Sequence, residues 1–153
     1  MKSWVKQFLA AGLAIAIVGA GSVAAQQAPD AVKDRQEAMK SISKANKTLR
    51  AAAKKGDAAA VEKQAKMIVV LAEKLPALFP KGTDRGTLDP KVTRAKPEIW
   101  AKWDDFQAKA NELKSMATQI ASAAGKGDLA MAGDGMNKAC GGCHKPFRGP
   151  KAK

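Results

Sequence analysis

The chain has 153 residues and a formal net charge of +13 at neutral pH, with two cysteines, one histidine and no tyrosine. The length suits a single domain. Alanine and lysine are abundant and β-branched residues are few, so the composition favours helices and argues against a fold built from strands.

The N-terminal segment has the features of a secretory signal peptide. Lys2 and Lys6 precede an apolar run over residues 8–18, and the small residues that end at Ala25 fit a cleavage site. The run is shorter than the roughly 20 apolar residues of a membrane-spanning helix. We therefore predict export to the periplasm, cleavage after Ala25 and a mature domain at residues 26–153. Export removes nucleic acid as a partner, whereas acidic redox proteins or anionic membrane surfaces suit the basic charge.

Four amphipathic helices are predicted from apolar residues that recur at helical spacing. The Gly-Asp pairs at residues 56–57 and 127–128 each combine a helix stop with a helix start. The second and third helices are joined by a proline-containing segment of about 18 residues, which is long for a connection in a compact domain and suggests a functional role. Short, long and short connections predict an all-α fold, an antiparallel four-helix bundle. The predicted helices cover residues 30–55, 58–78, 97–124 and 129–148.

Both cysteines and the only histidine lie in the segment CGGCH, residues 140–144. This C-x-x-C-H pattern is typical of a c-type haem attachment site, where two thiols reach the vinyl groups of one porphyrin and the imidazole ligates the iron. A redox-active cysteine pair is typical of a βαβ unit, which the sequence does not predict. A disulfide across so short a loop would stabilise the fold little, and a zinc site would need more ligands. We predict one haem c per chain, held by thioethers to Cys140 and Cys143, with His144 as axial ligand.

The position of this motif in the last helix, together with other segments, resembles the cytochrome c prime family, the class II cytochromes c. At the position of Phe147 a tyrosine is common in that family. The resemblance implies that residues 26–153 form a four-helix-bundle domain with the haem near one end, His144 on its proximal side and Arg148 near its polar edge. The similar segments are RQEAM (35–39), FPKGT (79–83), AKPEIW (95–100), GKGDLA (125–130) and CGGCHKPFR (140–148).

The first helix supplies the remaining candidate site residues. Arg35 and Met39 are four positions apart and share one helix face, so Arg35 could meet a haem propionate, and Gln36 is a further candidate for a propionate hydrogen bond. The resemblance implies that the sixth iron position is either vacant or filled by a first-helix methionine. Met39 is the preferred ligand, with a packing role as the alternative. Ligation by Met39 would give a low-spin electron carrier, and a vacant position would give a high-spin iron that binds nitric oxide or carbon monoxide.

An enzyme is a third possibility for a haem protein. Peroxidase-like chemistry needs a distal acid–base residue, usually histidine, and the only histidine is assigned to the iron, so we predict no enzymatic activity. Six lysines lie outside the apolar stripe of the first helix, and they form either an ordinary solvated face or a docking surface for an acidic redox partner. Members of the family often pair through their first two helices, and these like charges oppose pairing, so both a monomer and a homodimer stay open. The lysines are at positions 33, 40, 44, 47, 54 and 55.

Overall fold

The computed structural model describes residues 21–152, with side chains from residue 30 onward. Residues 1–20 of the predicted signal peptide lie outside this range, and no side chain is described around the predicted cleavage site after Ala25, so both stay predictions. Within the described range, no helix combines the length and the apolar character needed to cross a membrane.

The described residues form an α-helical bundle. The principal contacts are those of α1 with α2, α2 with α4, and α4 with α5, as expected for long helices that run up and down in turn. The predicted all-α four-helix bundle is confirmed. The helices are α1 (Gly21–Lys54), α2 (Ala58–Lys74), a single turn α3 (Glu98–Ala101), α4 (Trp103–Ala124) and α5 (Gly135–Phe147).

The two short connections turn where glycine was expected to end a helix. Gly56 and Gly127 have φ angles of 72° and 82°, which a residue with a Cβ adopts only at a cost. The Asp57 carboxylate then accepts a hydrogen bond from the Ala60 amide at 2.9 Å, so it caps the start of α2 as predicted.

Several helix boundaries differ from the predicted ones. Helix α1 is already helical at Gly21, the first described residue, and so includes residues ahead of the predicted start near Asp30. The alanine- and glutamine-rich residues 24–28 favour helix. Helix α2 ends at Lys74, and a 3₁₀ turn at Pro76–Leu78 follows, because proline interrupts the helical hydrogen bonds.

The third and fourth predicted helices are also interrupted. The third is divided at Lys102, which has non-helical backbone angles. The fourth begins as a 3₁₀ turn at Ala130–Ala132 and becomes α-helical only at Gly135. Gly133 and Gly135 have low helix propensity, which explains why α5 starts later than predicted.

Buried apolar side chains form two clusters. The larger one fills the interior of the bundle between the long helices. The smaller one lies beside the long loop and is mostly aromatic, with ring centroids 4.7 Å apart for Phe79 and Phe106, and 5.5 Å apart for Phe106 and Phe147. Met39 packs against both clusters. The boundary between the two clusters is therefore where the bundle meets the loop.

The long loop is held to the end of α5 by an antiparallel bridge between Ala95 and Arg148. The Lys96 amide donates to the Phe147 carbonyl at 3.0 Å, and the Gly149 amide donates to the Arg94 carbonyl at 2.8 Å. These bonds fix the loop directly beside the CGGCH segment.

Candidate haem-binding site

A cavity of about 550 Å³ lies among α1, α4, α5 and the long loop. Its lining is largely apolar, with Ile42, Phe79, Phe106 and Leu113 among the contributing side chains. Every predicted site residue lines this same cavity, although the residues come from the first and last helices of the bundle. They are Arg35, Gln36, Met39, Cys140, Cys143, His144 and Arg148.

Helix α5 presents the two thiols to the cavity. Cys140 and Cys143 are three positions apart, partly buried and not joined by a disulfide. Burial raises the pKa of Cys140, and burial together with the charge of Cys140 raises the pKa of Cys143 to about 11. Both thiols are therefore protonated at neutral pH. The helical spacing places them on one side of α5, as attachment to one flat ring requires.

His144 follows on the same helix and is partly exposed. Burial lowers its pKa, and the positive charges of Arg148 and Arg94 lower it further. A lowered pKa favours the neutral imidazole, which is the form that ligates a metal.

Arg35 lines the cavity from α1 and is only 5% exposed. Its guanidinium donates to Thr83 Oγ1 and to the Thr83 carbonyl oxygen, each at 2.7 Å, and also to Thr93 Oγ1. It lies 5.0 Å from the centroid of the Phe79 ring, and burial lowers its pKa to about 10. Of the five N–H groups of an arginine, these bonds use three, so two are left for the predicted propionate contact.

The other two candidates on α1 differ in their surroundings. Gln36 is exposed, and its side-chain amide donates to the Val92 carbonyl at 2.8 Å. Met39 is partly buried, and its thioether, a weak acceptor, accepts no hydrogen bond from the described residues. The arrangement thus leaves Met39 free for either ligation or packing, which are the two roles predicted for it.

The cavity also contains residues that sequence analysis did not single out. Arg94 and Thr93 come from the long loop, whose length signalled a role without indicating which residues carry it. Asn46 follows Met39 by seven residues, about two helical turns, and therefore lies on the same face of α1. This spacing is the signal by which the sequence could have identified it. The Asn46 Oδ1 atom is buried and has no hydrogen-bond partner among the described residues.

The residues present fit a covalently held haem. The cavity volume lies within the range of about 300–1,000 Å³ typical of cofactor sites. Two unpaired thiols and one imidazole meet a largely apolar surface there, and cationic side chains also line the cavity. The unpartnered Asn46 oxygen is costly in an empty apolar space and is therefore consistent with an occupant or a bound water. In such a site Cys140 and Cys143 would hold the ring, and haem iron would supply the redox and ligand-binding chemistry.

Comparison with known proteins gives consistent matches. A family model described as cytochrome C' matches residues 30–148. The cytochrome c' of Pararhodospirillum photometricum is 38% identical over 93 residues, which cover 59% of this chain and 71% of that protein. The solved structure of cytochrome c' from Rhodobacter Spheriodes has 30% sequence identity and a TM-score of 0.70, covering 80% of this chain and 97% of the other. A nitric oxide complex of a cytochrome c prime variant from Alcaligenes xylosoxidans has 26% identity and a TM-score of 0.68, with the same coverage.

Fold and site together define a helical-bundle protein that binds haem c. The chain belongs to the cytochrome c' family, whose model spans most of the described residues. The cofactor of this family is a covalently attached haem c, and the chain carries the two cysteines that such attachment uses. The predicted family and cofactor are therefore confirmed. The individual roles of the seven site residues stay predictions.

Proposed function

We propose that this protein binds small neutral gas molecules, nitric oxide or carbon monoxide, at a haem whose sixth position is open. In this proposal Cys140 and Cys143 hold the ring, His144 is the protein's axial ligand, and Met39 packs over the distal side without ligating. Arg35, Gln36 and Arg148 bind the polar edge of the cofactor.

The observation that carries this proposal is the apolar lining of the cavity around Met39. Ile42 and Phe79 line the same region, and apolar surroundings suit a neutral diatomic molecule better than water or an anion. The related cytochrome c prime variant from Alcaligenes xylosoxidans forms a nitric oxide complex, which supports extending that chemistry to this chain. From the sequence we placed the electron carrier first and the open, gas-binding haem second. The proposal reverses that order.

Electron transfer with His144 and Met39 as paired ligands is the second candidate. It is favoured by the position of Met39, which lines the cavity and accepts no hydrogen bond within the described part of the chain. Thioether ligation would raise the reduction potential and keep the same ligands in both oxidation states. Relatives at 36% and 33% identity are named cytochrome c-554 and cytochrome c-556 rather than cytochrome c'.

Three further features of the proposal follow from sequence and charge. The protein acts without catalysis, because the only histidine is taken by the iron and no second imidazole is available as a distal acid or base. It works in the periplasm after removal of residues 1–25. It exists as a monomer or a homodimer, and a cytochrome c' of similar structure is described as having a ligand-controlled dimer dissociation.

Optical and electron paramagnetic resonance spectra of the haem-loaded protein test the proposal. We expect a high-spin, five-coordinate iron in both oxidation states and a new spectrum on adding carbon monoxide to the ferrous form. A low-spin six-coordinate spectrum with the signature of a thioether ligand would reject the open site and establish the electron-carrier alternative.

A further inference from the structure

A second, shallower cleft of about 360 Å³ adjoins the haem cavity on the outer side of α5. Its positively charged lining residues are Arg94, Lys145 and Arg148, and Gly149 and Pro150 also line it. We call it the basic cleft. It reaches His144, so anything bound in it lies next to the predicted iron ligand.

No ion pair among the described residues neutralises the cations of the basic cleft. The ion pairs among residues 30–152 join lysines to glutamates elsewhere, and none includes Arg94, Lys145 or Arg148. Burial lowers the pKa of Arg94, and the charges of Arg148 and Arg85 lower it further, with no acidic group offsetting them. Asp84, beside Arg85 in the chain, is engaged with the Gly86 and Thr87 amides instead. Repulsion of this kind is relieved when an anion binds.

Backbone carbonyl groups at the end of the chain's described part hold the side chains of Arg94 and Arg85 in place. The Arg94 Nε donates to the Gly149 carbonyl at 2.8 Å. The Nη groups of Arg94 have no hydrogen-bond acceptor among the described residues and are available to a ligand. The Arg85 side chain crosses directly over Gly149, where a Cβ would collide with its guanidinium, and it also donates to the Pro150 carbonyl at 3.3 Å. The absence of a side chain at Gly149 therefore allows a third arginine to approach the cleft. Such fixed forks lose little conformational freedom on binding.

We propose that the basic cleft is a binding site for an oxyanion, a phosphate or carboxylate group that accepts hydrogen bonds from Arg94 and Lys145. Guanidinium forks match paired oxygens of both groups. An anion bound there would place negative charge close to His144 and would so couple anion concentration to the properties of the iron. This inference does not depend on whether the sixth iron position is open.

The test uses the oxidised, haem-loaded protein and inorganic phosphate as the probe. Ferric iron is paramagnetic, so phosphate held in the basic cleft has a strongly broadened ³¹P resonance, while phosphate on distant lysines does not. Titration at constant ionic strength, maintained with chloride, separates specific binding from screening. We expect saturable broadening, and we expect Arg94→Gln to weaken phosphate binding about tenfold or more because it removes a charge-assisted contact.

Two further variants make the result decisive. Lys145→Gln removes a charge of the cleft at an exposed position, and it should also weaken phosphate binding. This variant keeps the proposal testable if Arg94→Gln disturbs the hydrogen bond to Gly149. Arg50→Gln removes an exposed arginine from α1, far along the chain from the cleft, and should leave the affinity unchanged. Equal weakening by all three variants would show a diffuse effect of net charge and overturn the proposal.

Competition identifies the source of the oxyanion. Succinate that displaces phosphate and binds more tightly assigns the cleft to carboxylates, and phosphate that binds more tightly assigns it to free phosphate. Absence of saturable broadening in the unsubstituted protein would mean that the cofactor's own propionates or nothing at all occupy the cleft, and either result overturns the proposal.

Discussion

Arg35 on α1 donates two hydrogen bonds to Thr83 in the long loop, one to its hydroxyl oxygen and one to its carbonyl oxygen, both at 2.7 Å. The two residues are 48 positions apart in the chain. Thr83 is fully buried, and its hydroxyl in turn donates to the Pro80 carbonyl at 2.8 Å. A single charged side chain thus fixes the loop against the first helix at the edge of the haem cavity.

We predict that Arg35→Leu destabilises the haem-loaded protein by about 2–4 kcal/mol, because it leaves the buried Thr83 and Thr93 oxygens without their charged donor. Denaturant unfolding followed by circular dichroism measures the change. Gln36→Ala is the matched control, since it removes one exposed hydrogen bond from the adjacent position and should cost about 1 kcal/mol or less. Equal losses for the two variants would contradict a structural role for the Arg35 contacts.

Haem attachment should depend on both thiols of α5. Cys140→Ala or Cys143→Ala should leave at most one thioether, and the double variant should carry no covalent haem. Mass spectrometry of the protein, produced in a host with haem-attachment machinery, measures this directly. Retention of covalent haem by the double variant would contradict the assignment.

His144→Ala should abolish the native optical spectrum even where both thioethers form, because the chain contains no other imidazole. Added imidazole should restore much of the spectrum by occupying the vacated position. Lys138→Ala, an exposed change on the same helix, should leave the spectrum unaltered and controls for effects on α5 itself. A native spectrum in His144→Ala without added imidazole would be inconsistent with axial ligation by this residue.

Met39→Leu separates the two proposed functions. Leucine conserves most of the volume of methionine but cannot ligate iron. If the sixth position is open, the high-spin spectrum should persist and carbon monoxide binding should change little. If Met39 ligates, the substitution should convert a low-spin iron to a high-spin one and lower the reduction potential. Met39→Ala adds a cavity, and we expect it to cost about 2–5 kcal/mol of stability through packing.

Much of the fold could be predicted from residues that act locally. Gly56 and Gly127 end helices because a positive φ suits glycine alone, and Asp57 caps α2 because its carboxylate reaches an amide three positions on. The division of the third helix at Lys102 had no such signal. It coincides with a contact to a residue distant in the sequence, because Trp100 Nε1 donates to the Phe79 carbonyl at 3.0 Å. On the other side of Lys102, Trp103 packs on Phe106.

The candidate site likewise combines residues that a local pattern predicts with residues whose role depends on tertiary contacts. The spacing of Cys140, Cys143 and His144 is a local pattern, so it predicted the chemistry and the residues together. Arg35 was also identified, but its contacts with Thr83 and Thr93 were not, because they depend on how the long loop folds back. Loop residues that act through tertiary contacts, such as Arg94, have no periodicity from which a role could be predicted.

The bridge between Ala95 and Arg148 has a consequence for the order of assembly. With this bridge formed, the long loop lies against the end of α5 and both thiols are partly enclosed by the cavity that they line. An enzyme that joins a porphyrin to those thiols would need them accessible, so we expect it to act while the end of α5 is still detached from the loop. Formation of the bridge would then be a late step in maturation, after the haem has been attached.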